Sequence, residues 1–143
     1  MTLFYRIGAG LWVFWGLVHM FAGVMTMAQP IAGKVGGIAD AVDKATLDIA
    51  YPDAVGAILN QHGWNLLWIG AFTVVGGVYI WRQNKIWVLF TAVVGGMADI
   101  GYFMFMDLGG YVNFVPGTLM TLVSSAAVIL TFLAAYRTPS ETA

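Results

Sequence analysis

The stretch Asn60-Gln61-His62-Gly63-Trp64-Asn65 sets four polar side chains into the first turns of Val55 to Trp81, an otherwise apolar run long enough to cross a bilayer. Membrane hydrocarbon holds no water to satisfy such groups, so polar and ionisable residues within a span turn toward a bundle interior and mark a site. Three more runs of this kind accompany it: Ile7 to Ala28, Ile86 to Met106 and Phe114 to Tyr136. Each is near the roughly 20 residues a helix needs to cross about 30 Å of hydrocarbon. The first ends in Thr26-Met27-Ala28, a passable small-residue cleavage site. Its apolar run is too long for a signal core, and it reads as a retained helix.

Composition agrees with this reading. The chain is 60% hydrophobic and only 9% charged, with a mean hydropathy of +0.82, whereas soluble domains carry about 25% charged residues. A net charge of -1 and the lack of any Lys/Arg cluster exclude the basic field that draws nucleic acid. Cysteine is absent, which removes disulfides, thiolate metal sites and cysteine-held iron-sulfur clusters. Any metal ion or haem would have to use His, Met or oxygen ligands.

The runs join in a simple order. Arg82-Gln83-Asn84-Lys85 is a tight helix hairpin and Asp107-Leu108-Gly109-Gly110-Tyr111 a glycine turn, and short links make antiparallel neighbours. The expected fold is all-α, an integral membrane up-down four-helix transmembrane bundle, with residues 1-143 forming a single domain. Arg6, Arg82, Lys85 and Arg137 gather on one side, while Lys34 and Lys44 lie on the other among Asp40, Asp43, Asp48 and Asp53. The Lys/Arg bias predicts both termini to be cytoplasmic. Tyr5, Trp81, Trp87 and Tyr136 then suit one interfacial aromatic belt, and Tyr51 and Tyr111 the other.

The link from Gln29 to Asp53 is too long for a plain connection. Ile38, Val42, Ala45 and Ile49 recur in it at helical spacing, with Asp40, Asp43, Lys44 and Asp48 on other faces. This pattern predicts a short amphipathic helix in the long first outer loop, placed as a lid over the bundle or as a helix resting at the headgroups.

Depth along the helices gathers the ionisable residues. At 1.5 Å per residue His19 lies roughly 13 Å, His62 roughly 8 to 10 Å and Asp99 roughly 10 Å below the outer ends of their helices. Gly16 and Gly23 flank His19 at one turn, Gly95 and Gly96 precede Asp99, and Gly63, Gly70 and Gly77 repeat beside His62. Small residues let membrane helices approach closely and so mark interior faces. The expected ligand- or proton-binding set is His19, His62, Asn65, Asp99, Tyr102, Thr121 and Ser124.

Several chemistries suit such a layer. Intramembrane Asp and His serve proton relays. Two His with one carboxylate suit a zinc or iron ion held by His19, His62 and Asp99, and paired His on facing helices suit a b-type haem or a quinone site. The bland alternative is a polar layer that only fixes helix packing in an accessory subunit. Met20, Met25, Met27, Met97, Met104 and Met106 read as flexible core filler rather than copper ligands. Nucleotide-binding and nucleophile-elbow patterns are missing, and a non-enzymatic membrane protein is the expectation. Its partners would be the lipid bilayer and other membrane subunits or further copies of itself.

Overall fold

A computed structural model describes residues 2–137. Met1 and 138–143, the chain ends that the orientation expectation places in the cytoplasm, lie outside the described residues. Six α-helices follow one another: α1 (Thr2–Ala28), α2 (Ile31–Ile38), α3 (Lys44–Leu47), α4 (Asp53–Trp81), α5 (Lys85–Tyr102) and α6 (Leu119–Arg137). A widened turn at Phe103–Asp107 extends α5, and another at Phe114–Thr118 leads into α6. No strand occurs among the described residues. Four of the helices, with these extensions, are long and apolar enough to cross a membrane, which makes the chain compatible with a small multi-pass membrane protein.

The helices form a ring in which α1 packs against α4 and α6, and α5 packs against the same two. Glycine explains why α1 and α4 make the most extensive contact. A Cβ at Gly70 would lie 2.5 Å from the Gly16 carbonyl oxygen, and one at Gly23 would lie 2.5 Å from that of Gly63. Real side chains do not fit there, so the backbones touch directly, the contact by which membrane helices gain dispersion energy.

The bundle has two different ends. At the end with the short 82–84 link, here the hairpin end, Tyr5, Ala9, Trp12, Ile80, Val88 and Ala134 are all buried. The link turns on Gln83 at φ 63°, and the Asn84 side chain caps α5 by accepting from the Ile86 and Trp87 N–H groups. An Asn cap supplies partners to donors that a helix leaves unpaired. Arg6 lies over the Trp81 ring at 5.5 Å and Trp87 stacks on Tyr79 at 4.7 Å. Tyr5 departs from the expected aromatic belt: it is fully buried, because its position on α1 faces the interior, as do Ala9 and Trp12 one and two turns on.

The opposite, long-loop end is stitched rather than packed. Instead of one helix through Ile38, Val42, Ala45 and Ile49, the loop has α2 ending at Ile38 and a single turn of α3. The aspartates break it. Asp43 accepts from the Ala45 N–H and caps α3, and Asp40 accepts twice from Asn113, its carboxylate from the backbone N–H at 2.8 Å and its carbonyl from the side-chain amide at 2.9 Å. Asp side chains compete for backbone donors in this way and so favour caps over helix interiors. Ala41 N–H also donates to the Tyr111 carbonyl, tying the long loop to the link before α6.

Candidate functional site

Asp99, in the last turn of α5, is buried at 4% exposure. Its Oδ2 accepts from the Trp15 indole N–H at 2.8 Å, a bond that crosses the bundle from α1 to α5. One turn beyond Trp15 on α1, His19 stacks its imidazole on the same indole, with centroids 3.5 Å apart and planes 20° apart. His19 Nδ1 lies 2.8 Å from the Trp15 carbonyl oxygen. A carbonyl can only accept, so Nδ1 carries the hydrogen, and in the neutral ring Nε2 is left with a lone pair. That Nε2 faces Asp99 Oδ1 at 3.9 Å.

The consequence is chemical. With Nδ1–H committed to a carbonyl and Oδ2 committed to an indole, Nε2 and Oδ1 are two acceptors facing each other with no hydrogen between them. Two acceptors held 3.9 Å apart repel each other in a medium of low dielectric. One proton on either atom relieves both, as does a small donor placed between them. The Ser124 hydroxyl lies beside the Asp99 carboxyl and donates to the Thr121 carbonyl at 3.1 Å.

The pair opens into a cavity of about 130 Å³, whose wall includes His19, His62, Leu66, Asp99, Tyr102 and Met120. Gly37 and Ile38 from the long loop close its top. A second, wider cavity of about 650 Å³ lies under α2 and α3 and shares Ala22, Thr26 and Gly37 with the first. Access to Asp99 is therefore from the long-loop end. Toward the hairpin end Trp12 sits edge-on to Trp15 at 5.9 Å, and both rings are fully buried.

The expected site residues separate into two groups. His19, His62, Asp99 and Tyr102 line one cavity, and Ser124 touches Asp99 from behind. Asn65 does not join them: its side-chain carbonyl accepts from Trp68 Nε1 at 3.1 Å on an exposed face. One turn after His62 the cavity wall is held by Leu66, the i+4 neighbour of His62, and not by Asn65. Thr121 is also elsewhere, its hydroxyl buried without a hydrogen-bond partner, and Thr118 donates to Asp107 instead. Among the described residues no three of His, Asp and Glu gather closely enough to hold a metal ion, so His19, His62 and Asp99 share a wall without converging on one point. A haem or drug-sized ligand asks for about 300–1,000 Å³, more than the 130 Å³ beside the two His provides.

Sequence reasoning missed two residues. Trp15 was not singled out within its apolar run, although its spacing of four from His19 places both on one face. Lys34 read as a loop charge, yet it is buried at 6% exposure; the signal was its position as the lone charge in the apolar segment Ile31–Ile38.

Comparison with protein-family models, with curated proteins and with solved structures returns no match. Function rests on the geometry alone.

Proposed function

We propose that this is a small, non-enzymatic multi-pass membrane protein that binds a proton between His19 Nε2 and Asp99 Oδ1, taken up from the long-loop end through the adjoining cavity. The observation that carries the proposal is the fixed tautomer: Nδ1–H bonded to the Trp15 carbonyl directs a bare Nε2 at a carboxylate oxygen 3.9 Å away. Intramembrane ionisable residues pair with one another and mark proton pathways. The buried Trp12 and Trp15 on the hairpin side favour uptake and release at one end over conduction through the bundle.

The orientation proposed with it follows the Lys/Arg bias, placing the hairpin end with Arg6, Arg82, Lys85 and Arg137 in the cytoplasm. The cavity then faces outward. Exposed apolar side chains such as Phe21, Ile58, Ile86 and Phe105 contact lipid or neighbouring subunits.

Infrared difference spectroscopy of the reconstituted protein, across about pH 3 to about 8 where carboxyl and imidazole groups ordinarily titrate, tests the proposal. The wild type should show a protonated-carboxyl band that appears reversibly and shifts in heavy water. Asp99→Asn should abolish it, and His19→Asn should alter its pH dependence. The same band in Asp99→Asn, or none in the wild type, refutes it. A competing reading, a polar layer that only fixes packing, is favoured by the Trp15–Asp99 bond across the bundle. It predicts that Asp99→Asn changes stability with no titrating band in either protein.

A further inference from the structure

The larger cavity holds a charge that the proton site does not use. Lys34, on the first turn of α2, lines this space and is buried at 6% exposure. Its ammonium donates to the Met27 carbonyl at 3.3 Å and to the Asn60 side-chain carbonyl. Both acceptors are neutral, and no carboxylate among the described residues pairs with it. An ammonium has three donors, so one remains after these two bonds. Burying a cation is expensive unless an opposite charge accompanies it.

The surroundings suit an anion. Lys44 and Asp48, both exposed and one turn apart, also line the cavity and add no net charge between them. Gly36 and Gly37 form part of the wall, and a Cβ at either would meet nothing within 4 Å, so the backbone stays open to a ligand. Ala22 and Met25 of α1 supply an apolar strip alongside. The cavity thus stands where the apolar span of α1 ends, with a buried cation at its base and hydrocarbon at its side.

We propose that Lys34 anchors an oxyanion site at the long-loop end, taking the phosphate or carboxylate group of an anionic amphiphile or of a small soluble anion. This site is independent of the His19–Asp99 proton site, and either can fail without the other.

The test uses the full chain in a neutral detergent, with dodecyl phosphate as the probe and phosphorus NMR line broadening as the readout. Wild type should bind it saturably. Lys34→Gln keeps a donor for Asn60 without the charge and should weaken binding about tenfold or more, whereas Lys34→Arg should stay within about threefold. Lys44→Gln, on an exposed charge, should change little. Should Lys34→Gln lose its helical circular dichroism, Asn60→Ala takes its place: it frees an ammonium donor and should hold or tighten binding. Displacement by equimolar inorganic phosphate assigns the site to a free oxyanion, and resistance to it assigns the site to a lipid headgroup. No saturable binding by wild type, equal binding by a folded Lys34→Gln, or loss in Asn60→Ala overturns the proposal.

Discussion

The two ends of this bundle are built from the same helices and solve opposite problems. At the hairpin end the interior is closed by aromatic and small residues: Tyr5, Ala9, Trp12, Ile80, Val88 and Ala134 are buried at 1% exposure or less. At the long-loop end the interior is held open by polar side chains around 130 Å³ of space, and a loop stitched by Asp40 and Asn113 covers it. Both ends bury polar atoms, but differently. Tyr5 Oη, Trp12 Nε1 and Thr91 Oγ1 have no partner and touch neither cavity, so they add cost without making a site. The long-loop end also has unpartnered atoms, Asp107 Oδ2 and Thr121 Oγ1, but there His19, Asp99 and Lys34 line cavities with partners that use only part of their capacity. Partly used polar groups beside a cavity are what binding requires.

This contrast assigns stability to one end and chemistry to the other, and it can be broken. The largest expected effect is at Trp12, whose ring is wedged against Gly95 at 2.6 Å from where a Cβ would stand there. Truncating a buried Trp to Ala ordinarily costs about 3–5 kcal/mol. Trp12→Ala should therefore lower the thermal midpoint in detergent sharply, while the titrating carboxyl band survives at temperatures where the bundle is folded. If the band disappeared with stability unchanged, the two ends would not divide the labour as stated.

Gly70→Val comes next and acts on the boundary between the ends. Its side chain would strike the Gly16 carbonyl and the Met20 backbone, neither of which can move without separating α1 from α4. Overpacking costs about 1–3 kcal/mol, and the displaced helix carries His19 away from Asp99. Both the denaturation midpoint and the infrared band should change, in contrast to Trp12→Ala.

The residues also show why the sequence revealed some of this and concealed the rest. Four long apolar helices and their antiparallel order follow from apolar length and short links, and the gathering of His19, His62, Asp99 and Tyr102 around one cavity follows because an ionisable group on such a helix favours the interior face. Facing at the finer level needs rotation angles that sequence spacing blurs. Asn65 is three positions from His62 and turns away to Trp68; Leu66, four positions on, stays in the wall. The pattern from Ile38 to Ile49 does not run as one continuous helix, because its polar face was made of aspartates, which took backbone N–H groups from Ala45 and Asn113 in place of solvent. Trp15 was hidden by its size: hydropathy counts an indole as apolar, and only the distance to Asp99 shows that its N–H is in use.

Thr121 gives the smallest and sharpest test of this rotation. Spacing of four puts Met120 and Ser124 on one face of α6, and both are buried toward Asp99 or its cavity; Thr121 is one position round, and its hydroxyl is buried with no partner. Its backbone carbonyl, which accepts from Ser124, is unaffected by a change of side chain. Thr121→Val replaces the stranded hydroxyl with a methyl of similar shape, and replacing an unsatisfied buried group in this way is nearly neutral or stabilising. The midpoint should hold or rise, by about 1 kcal/mol at most, and the carboxyl band of the wild type should be unchanged in position and pH dependence. A lost band would return Thr121 to the site with Ser124, as the sequence expectation has it. A fall in stability would mean that the hydroxyl has a partner after all, and that the long-loop half is more fully bonded than its open cavity implies.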